Sequence, residues 1–152
     1  MRRIQRKASL IRLVWVGPVA ITGAVLAVLI AQQGIVNATS LPPFAVAVMN
    51  SHEPMFLTAI LVSGAVLVFA ACLAWVAEPI QIYRRIAFGA LLISFVPNLA
   101  VRLFVPSADW RATLALMSLH VVAWAVTVAV LTNVSVCYAL APRDDDEEAA
   151  SR

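Results

Sequence analysis

Two apolar stretches decide the fold: IAFGALLISFVPNLAV (Ile86–Val101) and ATLALMSLHVVAWAVTVAVLTNVSVCYALA (Ala112–Ala141), separated by the polar segment RLFVPSADWR at residues 102–111. At about 1.5 Å of rise per residue the second stretch exceeds a roughly 30 Å hydrocarbon core, and the first falls a little short. If Arg102 snorkels toward the headgroups, Leu103 to Val105 complete the length. The pair reads as a transmembrane helical hairpin. It holds nearly all the membrane-depth polar chemistry of the chain: Ser94, Pro97, Asn98, Arg102 and His120.

Composition agrees. The 152 residues are 62% hydrophobic and 12% charged, against roughly 45–50% and 25% in soluble domains. Mean hydropathy is +0.92. Working outward, Leu13 to about Gln33 makes a first span and Met55 to Ala77 a second, stopped by Glu78-Pro79. With the hairpin spans at 86–105 and 112–138, the expectation is an all-α integral membrane protein. Its four transmembrane helices would form an up-down-up-down antiparallel bundle. Residues 1–12 form a basic cytoplasmic start, 13–141 the membrane domain, and 142–152 an acidic, disordered cytoplasmic tail. A cleaved signal peptide ending near Val36-Asn37-Ala38 is the competing reading of the first span. That apolar run is longer than a signal peptide's, and Gln32-Gln33-Gly34 separates it from the cleavage site, so a retained span is favoured.

Between Gly34 and Pro54 the chain carries no Lys or Arg. Phe44 to Met49 is apolar but too short to span, and it would lie on the membrane surface or dip against the bundle. His52 beside Glu53 reads as solvated. Cys72 and Cys137 lie in apolar runs without metal-ligand spacing and read as buried small hydrophobes.

Charge sets the orientation. With the N-terminus inside, nine of the eleven Lys and Arg residues fall on the cytoplasmic side and only Arg102 and Arg111 outside, a strong positive-inside bias. Trp15, Trp75, Tyr83 and Tyr138 fall near inner ends, and Phe56, Phe104 and Trp110 near outer ends, as aromatic belts do. A multi-pass protein of a bacterial inner membrane, both termini cytoplasmic, is expected. The basic start then faces anionic lipid, and no nucleic-acid partner is implied.

Small residues at four-residue spacing, Gly23, Ala27 and Ala31, give the first span a helix-packing face, with Ala20 and Ala24 as a neighbouring pair. On the third span Ser94, Asn98 and Arg102 share a face. Pro97 leaves the carbonyl of Ile93 without its helical donor, for Ser94, Asn98 or water to satisfy. On the fourth span Thr113, Met117, His120, Trp124, Thr127 and Leu131 form a bundle seam. Counted from the outer end, Ser94 and His120 lie at similar depth. Ser94, Asn98, Arg102, His120 and Trp124 are therefore the candidate ligand-binding residues, since polar groups at membrane depth are functional candidates by default. A hydrogen-bonded structural His120 is the simpler alternative. No metal, haem or catalytic set is expected, because the spans contain no Asp or Glu and no second His.

Ser-x-x-Pro-Asn (Ser94 to Asn98), then Thr113-Leu114-Ala115-Leu116-Met117 followed by His120, resembles a family of four-span bacterial membrane proteins known only as a domain of unknown function. The resemblance covers mainly residues 86–132. It implies the four-span architecture and no activity, catalytic residue or cofactor.

Two functions follow as expectations. The first is a non-enzymatic accessory or assembly subunit that docks another copy or a partner membrane protein in the bilayer. The alternative is a small transporter or ligand-binding protein using Ser94, Asn98 and His120. The topology is directly testable: a reporter active only in the cytoplasm should work when fused after Arg152 and fail when inserted near Thr39. Cleavage after Ala38 would leave three spans instead.

Overall fold

The computed structural model describes residues 2–41, 43–76, 78–104 and 109–137, with side chains described from Leu13 to Asn133 apart from those at 44, 45, 48 and 101. The chain there is all-helical: α1 (Arg2–Ala38), α2 (Pro43–Asn50), α3 (Glu53–Trp75), α4 (Pro79–Phe104) and α5 (Trp110–Cys137). Four helical segments are long and apolar enough to cross a membrane: Leu13–Ala38, Glu53–Trp75, Pro79–Phe104 and Trp110–Asn133. The expected acidic tail, Tyr138 and the Pro106 turn lie outside the described residues, as does the side chain of Cys137.

Boundaries differ from the sequence expectation where propensity outruns hydropathy. Helix α1 begins within the basic start, ahead of the apolar span expected from Leu13, because Arg, Gln and Lys are good helix formers. Helix α4 begins at Pro79, taking in residues 79–85 that hydropathy assigned to a connection. Proline suits a first helical turn, where its missing N–H has no partner to lose. Helix α5 is capped by Asp109, whose carboxylate accepts from the backbone N–H of Arg111 at 3.1 Å. Phe44–Met49 falls in a helix, α2. Its Met49 is fully buried, and Gln32 of α1 donates to the Met49 carbonyl, so this short helix dips against the bundle.

Around the bundle the order is α1, α3, α4, α5, with α5 back against α1. The closest seams are α1–α5 and α1–α3, and α3–α4 is the thinnest of the ring. The core has two layers. Leu13, Ala20, Phe69, Cys72, Tyr83 and Leu131 fill the end near the α3–α4 turn, hereafter the turn end. Val28, Met49, Ala115 and Leu119 fill the α2 end.

Close approach of α1 depends on its smallest residues. Its buried face runs through Leu13, Gly17, Ala20, Ala24, Val28 and Gln32. A Cβ added to Gly17 would stand 3.1 Å from the side chain of Val66 on α3, which shows how near the backbones come. Gly23, Ala27 and Ala31 are half-buried on the flank of this face, with Gly23 turned toward Val126 of α5. Val28, which the sequence face leaves out, is buried.

A bulkier side chain at Ala24, which has no exposed surface, must push α1 away from its neighbours. Ala24→Leu should cost about 1–3 kcal/mol in a reversible unfolding assay in detergent. Ile30→Leu, on the exposed side of α1, should be neutral, and equal effects would mean α1 has no buried face.

A cleft between α3 and α4

Where the α3–α4 seam is thin, the two helices leave a cleft of about 680 Å³. Leu57, Leu61 and Gly64 of α3 form one wall, and Ile86, Ala90 and Ser94 of α4 the other. Its floor is α5, through Leu119, His120 and Trp124, with Val28 of α1 behind. Glu53 and Asn98 border it at the α2 end, and Val68 and Tyr83 at the turn end. On α3 the lining runs from Glu53 to Val68, which is about 22 Å of helix.

Sequence pattern explains why the cleft stays open. Gly64 and Ala90 are exposed, and nothing lies within 4 Å of where a Gly64 Cβ would be. Gly64, a small residue of the kind that lets helices approach closely, thus borders a space. At the turn end the helices are pinned together by Phe69 and Tyr83, whose rings meet edge-on with centroids 4.8 Å apart. Nearer the α2 end the α4 rings turn to α5 instead. Phe88 meets Trp124 at 6.3 Å and Phe95 meets His120 at 6.4 Å, both edge-on.

Four of the five sequence candidates, Ser94, Asn98, His120 and Trp124, border this cleft; Arg102 does not. The Arg102 guanidinium lies over the Trp110 ring, 5.0 Å from its centroid, a cation–π contact at the α2 end. The candidates do not hydrogen-bond one another. The Ser94 hydroxyl donates to the Leu91 carbonyl at 2.7 Å, leaving the Ile93 carbonyl freed by Pro97 unanswered by that group. His120 Nδ1 lies 2.8 Å from the Leu116 carbonyl. A carbonyl can only accept, so Nδ1 carries the proton of this contact. Asn98 Nδ2 and Trp124 Nε1 are covered and have no partner.

Sequence reading missed the α3 wall, because Leu57, Leu61 and Gly64 are indistinguishable from any lipid-facing apolar residues. It also put Tyr83 at an interface. Tyr83 is 1% exposed, and its hydroxyl lacks a partner. Among the described residues no three His, Cys, Asp or Glu come together as a metal set.

No protein-family model, curated protein or solved structure matches this chain.

Because His120 bonds to its own helix, it contributes little to holding α4 and α5 together. His120→Leu should change bundle stability by no more than about 0.6 kcal/mol, the mean for interhelical polar contacts in membranes. Unfolding in mixed micelles measures it, and a loss above about 1.7 kcal/mol, the top of that range, would require an interhelical bond.

Proposed function

We propose that this is a non-enzymatic integral membrane protein that holds one small hydrophobic or amphiphilic molecule in the α3–α4 cleft. The orientation that goes with it is both termini in the cytoplasm of a bacterial inner membrane, which the positive-inside count supports. The α2 end is then the outer one.

The cleft carries the proposal. Its volume of about 680 Å³ falls within the range of small-molecule sites, roughly 300–1,000 Å³. The cleft runs along about 22 Å of α3, a length that suits one extended chain or a narrow ring system. The walls favour an apolar body, and Ser94, Asn98 and His120 favour a polar group toward the outer half. Chemistry on the bound molecule is not part of the proposal, because Ser94 is bonded to Leu91 and not to His120, leaving no activated nucleophile. Much of the small-residue face of α1 is used inside the bundle, which lessens the case for an accessory subunit as the leading reading.

Gly64 offers a clean test, since a Cβ added there has no protein atom within 4 Å and the residue lines the cleft. Native mass spectrometry of protein extracted in mild detergent should find a bound small molecule. Gly64→Leu should lower its occupancy at least about tenfold, equivalent to about 1.4 kcal/mol, while Gly34→Leu, outside the cleft, should not. Unchanged occupancy in Gly64→Leu would reject the cleft. A stoichiometric partner protein in place of a ligand would establish the subunit reading.

A further inference from the structure

On the other side of α4, at the turn end, lies a second hollow of about 520 Å³ that faces away from the α3 wall. Arg84, Thr132 and Asn133 stand at one end of it, and Ala125, Val128 and Trp124 line the rest. On α5 these run from Asn133 back to Trp124, about 13 Å of helix. The hollow is thus graded, cationic and hydroxylic at its mouth and apolar along its length.

Arg84 is held there in an unfinished state. Its Nη2 donates to the Thr132 hydroxyl at 3.4 Å, a long bond that occupies one of the five guanidinium donors. Thr132 is 1% exposed, and its own proton goes to the Val128 carbonyl at 2.7 Å. The hydroxyl therefore serves as a fixed acceptor that orients the guanidinium over the mouth. No carboxylate pairs with Arg84 among the described residues. Arginine forks match phosphate oxygens two at a time, and basic pockets between transmembrane helices on the cytoplasmic side suit anionic headgroups.

We infer that the α4–α5 hollow is a binding site for an anionic phospholipid of the cytoplasmic leaflet, its phosphate on Arg84 and Asn133 and one acyl chain along Val128, Ala125 and Trp124. The site rests on the membrane orientation proposed above but not on the α3–α4 ligand. It commits to a lipid and not to free phosphate, because most of its lining is apolar and gives nothing to a bare anion. Arg85, the neighbouring cation, is exposed as Arg84 is but lies outside the lining, so it contributes general surface attraction alone.

Trp124 is a built-in probe. In full-length protein carrying Trp15, Trp75 and Trp110 as Phe, Trp124 is the single indole. Reconstituted in phosphatidylcholine bilayers, it should be quenched by brominated acyl chains, which reports insertion independently of headgroup. Brominated phosphatidylglycerol, as a fifth of the lipid, should quench more than brominated phosphatidylcholine at the same fraction, with a relative affinity of about fivefold. Arg84→Gln should bring that ratio to about one, Arg84→Lys should retain part of it, and Arg85→Gln should leave most of it. Equal quenching by the two brominated lipids in the Arg84 protein overturns the inference without recourse to any charge variant. So does a preference that survives Arg84→Gln, that falls equally with Arg85→Gln, or that inorganic phosphate abolishes. Absence of quenching by either lipid overturns the inference as well, because no acyl chain then reaches Trp124 in the hollow.

Discussion

The structure depends on how its few polar side chains are satisfied. A hydroxyl facing apolar surroundings loses its water and must find an acceptor close by. Here the acceptor is almost always the preceding turn of the same helix. Thr58 donates to Pro54, Ser63 to Ala59, Thr127 to Ala123 and Thr132 to Val128, each at 2.7 Å. Ser94, Ser118 and His120 do the same within α4 and α5. Polar groups spent in this way do not join helices. Among the described residues the side-chain hydrogen bonds that reach between elements are Gln32 to the Met49 carbonyl and Arg84 to Thr132. Association therefore falls to close packing, which in an apolar medium depends on small residues and van der Waals contact. That is why the tightest seams run along α1, where Gly17, Ala20 and Ala24 line the contact.

The same constraint accounts for the open seam. Helix α4 has no comparable run of small buried residues facing α3. It is pinned to α3 at the turn end by Phe69 against Tyr83, and farther along, its aromatic rings engage α5. With no hydrogen bond spanning the gap and little close packing to draw it shut, α3 and α4 part around Gly64 and Ala90. An amphiphile-sized space inside a small bundle needs no special device, only the absence of seam-forming residues between two neighbours.

Much of this architecture is legible in the sequence, and the parts that are not share a cause. Four long apolar helices follow directly from hydropathy, and the cleft residues Ser94, Asn98, His120 and Trp124 stand out as polar or amphipathic groups at depth. What spacing cannot supply is direction. Gly23, Ala27 and Ala31 form as regular a stripe as Ala20 and Ala24, and only the packing of α3 and α5 makes the second the buried one. Hydropathy also does not separate a leucine facing a cleft from one facing lipid, so Leu57 and Leu61 carry no signal. Arg84 is read as a topology charge, since its contact with Thr132 spans 48 positions of sequence. Helix ends moved where charged residues with good helix propensity extend an apolar helix, as in α1.

Helix α5 ties these features together, because it touches α1, α3 and α4. Its side toward the core is closed, through Ala115 and Leu131. Its side toward α4 backs both hollows, and Trp124 and Val128 border each of them. The wall that completes the cleft, by contrast, is α3, where Leu57, Leu61 and Gly64 are exposed and take little part in the core. The scaffold and the α3 wall of the cleft are therefore carried by different residues, although Val28, Leu119 and Tyr83 serve both core and cleft. The α1–α5 interface holds the bundle, and the cleft-facing surface of α3 is free to vary in size and polarity. A change there reshapes what the cleft can hold while leaving the packing that supports it in place.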